Sequence, residues 1–347
     1  MSTHAAYTHF ASQAQSCDRL GSPFTADLCL QLPTLLDATT ATGRRVLGWT
    51  GDPAADALAL RLCGALHALV LSGNDPALAA VYPPAKPDSA SLREAVVGAL
   101  ARHDTSVAVF IDSPPQTNEI ARSAMLLPGL LLVALETGRP LILGEVGASA
   151  GLNLNLDRFF YTYGNTEWGD PSSPVRLAPQ VEGTPPPLEG RLEIRARSGC
   201  DRMPVDIAQP DERLRLKAYV WPDQPFRMER LDAAVIVARE HPFTLSAEDA
   251  ADFVDRELAS RPGDAAYVLM HSIMWQYMPD DKRARIGALL QLHGAEATSS
   301  APLAHLRMEP VAGESGHAVL SLTLWPGGIT RRLARVDFHG RWIAWES

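Results

Sequence analysis

Leu141-Ile142-Leu143-Gly144-Glu145-Val146-Gly147-Ala148-Ser149-Ala150-Gly151 is the stretch whose reading decides the fold. Its first six residues are a short apolar run, the pattern of a buried strand. Gly147 to Gly151 is a turn of small residues, in which glycine lets the backbone bend sharply and approach a ligand closely. Residues 152–160 then read as helical. Strand, glycine turn and helix in that order open an α/β sheet. The alternation continues outward toward the C-terminus. Strand candidates at 192–196, 243–245, 266–270 and 303–308 are interleaved with helical stretches at 211–219, 227–240, 250–258 and 280–292. Residues 319–325 alternate, Gly327-Gly328 turns, and 331–338 returns, which is a hairpin. The expected class is α/β, a mostly parallel sheet with a terminal antiparallel hairpin.

Residues 1–138 read differently. Leu58, Leu62, Ala65, Leu66 and Leu69 recur at helical spacing, and Gly73 follows as a stop. Residues 92–100 and 121–135 also look helical, and little resembles a strand beyond 107–111. Pro83-Pro84 and Pro87 mark a loop. The expected organisation is a helical N-terminal cap over 1–138 and an α/β domain over 139–347. A Pro- and Gly-rich insertion of loop or hairpin is expected at about 161–190.

The chain has 347 residues, 46% hydrophobic and 20% charged, the composition of a soluble protein of enzyme size. A net charge of −9 disfavours a nucleic-acid partner. The N-terminus lacks a basic segment followed by an apolar one. The longest apolar stretch, 124–135, is interrupted by Pro128-Gly129 and falls short of the roughly 20 residues that span a bilayer. No membrane association is therefore expected, and the expected location is cytoplasmic. Cys17, Cys29, Cys63 and Cys200 have no CxxC spacing and read as reduced, buried thiols. No His, Cys or Asp cluster has metal-ligand spacing, so no metal is expected. Nothing in the pattern specifies an oligomeric state.

The glycine turn has two readings. As acid-x-Gly-x-small-x-Gly it is similar to the first motif of the S-adenosylmethionine-dependent methyltransferases, with Ser149 where that family usually has a second glycine. The resemblance implies a methyltransferase-like Rossmann sheet and S-adenosylmethionine as cofactor. Glu145, Gly147, Ser149 and Gly151 would then hold its methionine part. Asp249, in a turn that resembles the one after the third methyltransferase strand, would meet adenine. Asp201 would meet the ribose, although it lies fifty residues past Gly151 where about 20 is usual. His271, at the end of the fourth strand, is a candidate general base near pH 7 and equally a hydrogen-bonded strand-end histidine. Glu119 is the second candidate for assisting deprotonation. Gln116, Asn118, Arg122, Asp206, Asp223 and Gln224 are candidate substrate contacts, the substrate being a small molecule. Ser113-Pro114-Pro115-Gln116 also reads as a capping box with proline at the first helical position. A bulky residue at 147 is expected to abolish cofactor binding and spare the fold.

Read as GxSxG, the same turn is a nucleophile elbow, with Ser149 as nucleophile and Asp249 and His317 or His339 completing a triad. An elbow follows several earlier strands, whereas here the strand before Gly147 is the first of the sheet. The order favours the methyltransferase reading. A non-catalytic ligand-binding protein on the same fold is the third reading.

Several phrases together resemble an uncharacterised bacterial family, the domain of unknown function numbered 2332. They are Gln116-Thr117-Asn118-Glu119 with Arg122, Glu145 to Leu154, Gly199-Cys200-Asp201 through Pro204-Val205-Asp206, and Trp221-Pro222-Asp223-Gln224. Trp325-Pro326-Gly327-Gly328 and His339-Gly340 fit as well. The resemblance covers nearly the whole chain. It implies a methyltransferase-like Rossmann fold and brings no reaction with it.

Overall fold

The computed structural model describes residues 3–346. Helices come first: α1 (Thr3–Arg19), α2 (Pro23–Leu35), α3 (Ala41–Leu47), α4 (Leu58–Leu71), α5 (Pro76–Ala79), α6 (Ser89–Arg102) and α7 (Asp104–Phe110). A 3-10 turn, Ile120–Arg122, leads into α8 (Ser123–Thr137) and β1 (Leu141–Val146). After a 3-10 segment, Leu152–Arg158, come β2 (Phe160–Tyr163), β3 (Thr166–Gly169), β4 (Arg176–Leu177), β5 (Gln180–Glu182) and β6 (Ile194–Asp201). Then follow α9 (Pro210–Ala218), α10 (Pro225–Glu240), β7 (Thr244–Ala247), α11 (Ala250–Ala259) and β8 (Ala266–Ser272). The chain ends with α12 (Asp280–Ala295), β9 (Leu303–Glu309), β10 (Ala318–Trp325), β11 (Ile329–Val336) and β12 (Trp342–Trp345).

These elements form two compact units. One runs through Thr117 and takes in Val205–Glu229; the other is Asn118–Pro204 with the chain from Arg230 onward. The division falls at 117/118, not at 138/139, and the chain returns to the helical unit once. The helical unit buries Leu28, Leu32, Leu58, Leu62, Leu66 and Leu78 in one core with Trp221. Residues 107–111 are not a strand. Val107 and Ile111, one helical turn apart, are buried while Val109 between them is 65% exposed, which is helical and not alternating burial. Nor does Ser113-Pro114-Pro115-Gln116 start a helix. The chain is irregular from 114 to 119, since each proline biases the residue before it away from the helical region. The helix begins at Ile120, where the Glu119 carboxylate accepts the Ala121 N–H at 3.1 Å.

Among the described residues the second unit holds a nine-stranded sheet in the order β5-β12-β11-β10-β9-β8-β1-β6-β7. From β7 to β9 every neighbouring pair is parallel. Numbered among themselves, these five strands lie 3-2-1-4-5, the order of a doubly wound sheet. The sheet as a whole is mixed: five of its eight neighbouring pairs are parallel, but it carries more antiparallel structure than a terminal hairpin supplies. β9, β10, β11 and β12 pair antiparallel in succession, and β5 joins β12 in parallel. The insertion contributes β5 and a separate three-stranded sheet, β3-β2-β4, built on the β2–β3 hairpin.

Side chains alternate across this sheet. Val146, Cys200, Tyr267, Leu269, Leu303 and Trp325 face α11 and α12, with Phe253, Val254, Ile286 and Leu290 between. On the sheet's other face, Gly129 of α8 seats against Leu306, where an added Cβ would come within 2.5 Å of the leucine.

Pro128-Gly129 does not interrupt α8. Residues Ile120–Thr137 form a helix long and apolar enough to cross a membrane by length and composition, with mean hydropathy 1.5, yet 67% of it is buried in the protein. A core helix meets the same description. Pro128 has no N–H to give the Ala124 carbonyl four residues earlier. That carbonyl instead accepts the Tyr163 hydroxyl at 2.6 Å. Tyr163→Phe should therefore cost about 1–3 kcal/mol, the penalty of an orphaned buried carbonyl. In a Pro128→Ala background the restored N–H takes that carbonyl, and the tyrosine substitution should cost under about 1 kcal/mol. Urea unfolding of the double-mutant cycle measures both; equal costs in the two backgrounds would refute the substitution of hydroxyl for amide.

Candidate functional site

In a doubly wound sheet, ligands enter the crevice beyond the carboxyl ends of the strands, where the strand order reverses. Here that point lies between β1 and β8. The glycine turn leaves β1, and Ser272-Ile273-Met274 leaves β8. Gly147, Ser149 and Gly151 have φ of 66°, 54° and 69°, left-handed conformations that favour glycine and strain serine. The turn is pinned to the end of β6. Ala148 N donates to the Cys200 carbonyl at 3.0 Å and Ser149 N to Asp201 Oδ2 at 3.0 Å. The other carboxylate oxygen of Asp201 accepts Met203 N at 2.9 Å.

Glu145 ends β1 beside this turn and is 3% exposed. Its Oε2 is buried with no hydrogen-bond partner. Burial pushes its carboxyl up to about 8, against the pull of Arg122 and with the push of Asp201. The Arg122 charge is fixed in place, with Nε donating to the Phe338 carbonyl at 3.0 Å and Nη1 to the Ser272 carbonyl at 3.3 Å. At pH 7 Glu145 is thus mostly a neutral acid, which a bound cation would ionise.

The sequence reading missed what faces the turn. Met274 lies against Gly147, so that a Cβ there would meet it at 2.9–3.0 Å, and Phe243 lies closer still to Gly151, where a Cβ would meet it at 2.4 Å. Both glycines are therefore required by packing. Ile273 has φ 52°, an outlier for a β-branched residue and a mark of stored strain. What holds it is polar. Glu309 Oε1 accepts Met274 N at 3.1 Å and Trp275 N at 3.3 Å, and meets His271 Nδ1 at 2.6 Å. His271 Nε2 lies 2.9 Å from His305 Nε2, and the Trp275 ring stacks on His271 at 4.7 Å. Burial, then the neighbouring His271 and Arg307, hold His305 well below the usual histidine range. It is therefore a neutral ring that donates or accepts a single hydrogen bond through that nitrogen. His271 is fully buried with both ring nitrogens engaged, so it fixes the loop and does not face a substrate. The available signal was the period-two spacing of His305, Arg307 and Glu309, which puts three polar residues on one face of β9.

Other residues singled out from the sequence serve the framework. Asn118 Oδ1 accepts Leu152 N at 2.9 Å, capping the 3-10 segment after the turn. Asn153 reaches back to the Glu119 carbonyl at 3.3 Å and accepts the Ser123 hydroxyl at 2.8 Å. Glu119 also pairs with Arg230 at 3.6 Å. Asp249 caps α11 through Ala251 N and pairs with Lys282 at 3.2 Å. Burial raises its carboxyl, and these two partners outweigh that and lower it. Gln116, Asp206, Asp223 and Gln224 belong to the helical unit. There Asp206 closes its own turn through Ala208 N. Asp223 accepts the Ser22 hydroxyl and Phe24 N at the start of α2, and Gln224 donates to the Leu20 and Gly21 carbonyls.

The hydrolase triad is not assembled. Ser149 Oγ is buried with no hydrogen-bond partner, so neither His317 nor His339 engages it. His317 bonds Glu314 at 2.7 Å instead. Among the described residues no group of three or more His, Cys, Asp or Glu side chains is arranged to hold a metal ion.

A protein-family model described as "Uncharacterized protein conserved in bacteria (DUF2332)" matches residues 7–345. No curated protein and no solved structure matches the chain.

The contacts at Gly147 correct the expectation that a larger residue there would spare the fold. Gly147→Ala adds both a left-handed alanine and a clash with Met274. It should cost about 2–4 kcal/mol in urea unfolding. A Met274→Ala background should remove the Cγ and Cε contacts and so lower that cost, leaving the Cβ contact and about 1 kcal/mol of backbone strain. An alanine that unfolds like wild type would overturn the packing argument.

Proposed function

The chain belongs to this uncharacterised bacterial family, and we propose that it binds S-adenosylmethionine at the 147–151 turn and transfers its methyl group to a small molecule. The observation that carries this reading is Glu145. A buried carboxyl at the end of the central strand, with one oxygen unpartnered and its proton retained to about 8, suits a ligand ammonium. The amino-acid part of the cofactor brings such a group. The 3-2-1-4-5 strand order and the left-handed turn after β1 support the same reading.

The fit is partial, and the contacts define it. Glu145 would take the amino group. Ser149 Oγ, also buried and unpartnered, would take the carboxylate. Asp201, which accepts Ser149 N and Met203 N at the end of β6, would take ribose hydroxyls. We leave Asp249 out of the binding set, because α11 and Lys282 already hold it. When bound, the cofactor supplies an electrophilic methyl group. The protein's own part is positioning. Arg122 fastens the end of β8 to the turn before β12, and the Glu309–His271–His305 series holds the strained loop over Gly147.

Calorimetric titration with S-adenosylhomocysteine, which keeps the same ammonium, tests this directly. A micromolar Kd, about −8 kcal/mol, is expected. The carboxylate is the binding form, so binding releases a proton below about pH 8. Affinity should then rise up to roughly fiftyfold between pH 6 and 8, with heats that depend on the buffer's ionisation enthalpy. Glu145→Gln should bind more weakly at pH 8 and lose that pH dependence. No heat at millimolar ligand would sink the cofactor reading, and binding without turnover of any acceptor would favour a non-catalytic ligand-binding protein.

Glu145 also makes a prediction for the free protein. Its carboxyl is neutral in the fold up to about 8 but ionises near 4.5 once unfolded. The unfolded state binds fewer protons across that window, so stability falls as pH rises through it. Glu145→Gln lacks this loss. Its melting temperature relative to wild type should climb steadily from pH 5 to pH 8, and a constant difference would show that Glu145 ionises normally.

A further inference from the structure

The helical unit contains a second set of buried polar groups without partners, unconnected with the cofactor reading. Arg215 of α9 has Nε and Nη2 buried, neither with a hydrogen-bond partner. These two nitrogens form the side edge of the guanidinium, the fork that grips two oxygens of one oxyanion at once. Tyr219 is four residues on, hence on the same face of the helical turn. Its hydroxyl is also buried, with the Arg215 side chain beside it and no hydrogen bond of ordinary length. Its ring seats against Gly64 of α4, where a Cβ would meet it at 2.7 Å. One turn before Gly64, Arg61 is held rigidly: Nε donates to the Asp56 carbonyl and Nη1 to the Ile111 and Asp112 carbonyls. Phe110 closes the set, its ring 5.4 Å below the Arg215 guanidinium and 5.9 Å from the Tyr219 ring. Burial pushes the Tyr219 hydroxyl up, and Arg215 and Arg61 both pull it down, so both cations lie within its electrostatic reach. Asp56 and Asp112, whose charges act on Arg61, bond the Trp49 indole N–H and Arg45, respectively.

We propose that Arg215, Tyr219 and Arg61 form a binding site for a phosphate group in the helical unit. A buried guanidinium edge with two unsatisfied donors calls for an anion. The side edge alone would suit a carboxylate as well as a phosphate. A third donor from Tyr219 and a second positive charge from Arg61 call for a third oxygen and a second negative charge, and phosphate supplies both. The source is free inorganic phosphate or the phosphate of a small monoester.

Thermal unfolding of the full chain at pH 7.5 tests this. Inorganic phosphate, glycerol 3-phosphate and acetate are each compared with sodium chloride at equal ionic strength. Phosphate at about 10 mM should raise the melting temperature by several degrees over chloride. Arg215→Lys keeps the charge but loses the fork, and Tyr219→Phe keeps the ring but loses the donor. Each should remove at least half of the shift. A larger shift with glycerol 3-phosphate than with phosphate assigns the site to a monoester, and the reverse assigns it to free phosphate. Equal melting temperatures in phosphate and chloride would overturn the site. So would an undiminished phosphate shift in both variants. A shift with acetate as large as that with phosphate would overturn its assignment to phosphate.

Discussion

β1 is hydrogen-bonded to β6 on one edge and β8 on the other, and both of its faces are covered. A strand in that position must be apolar, because any charge on it is cut off from water. Glu145 is the one residue that breaks the pattern, at the last step before the turn. Much of what surrounds it follows from that placement. The acid keeps its proton, Arg122 is drawn near, and the turn beyond is held by the neighbouring strand's Asp201 and not by Glu145 itself.

The polar residues near the crevice divide by what they do for the backbone. Strand ends and tight turns expose N–H and C=O groups that must find partners. Asp201, Asn118, Arg122 and Glu309 each meet that need at the edge of the sheet unit. Asn118 and Asn153 tie Asn118-Glu119 to Leu152-Asn153. Two segments that look like separate motifs are one joint. Once this accounting is done, Glu145 Oε2 and Ser149 Oγ remain buried and unspent. The same is true of Glu309 Oε2, but its partner oxygen is already the anchor of the loop after β8.

The parallel part of the sheet was legible because buried central strands write themselves as apolar runs between glycines. β1, β8 and β9 were found within about two residues for that reason. Edges are harder. β5 lies in a proline-rich insertion and β12 is four residues long, and neither carries a burial pattern strong enough to see. Local signals also misled where tertiary partners overrode them. Val107 to Ile111 is β-branched but helical because only one side of it is covered. Pro128 stays inside a helix because Tyr163, on a hairpin 35 residues later, supplies the missing donor. The return of 205–229 to the helical unit leaves no composition signal at all. In the site, Glu145 and the turn were visible as a motif. His305 and Glu309 were not, since their pairing with His271 needs the register of β8 against β9, which single-chain patterning does not specify.

Glu145 is buried and Arg215 half-buried, each with buried polar atoms whose hydrogen-bonding capacity is unmet, yet they answer burial in different ways. A carboxyl can shed its charge by keeping a proton, so Glu145 tolerates an empty neighbourhood and becomes charged only when a cation arrives. A ligand ammonium there would be optional, and its binding would release a proton. Arginine keeps its charge throughout the range in which proteins fold. Two buried donors on one guanidinium edge, beside a second arginine, cannot be quieted by a proton. Only an anion or ordered water answers them, and an anion alone also offsets the repulsion between the two arginines. Thus the Arg215 edge in the helical unit demands a counter-charge that Glu145 does not, although only the sheet unit carries the glycine-turn motif.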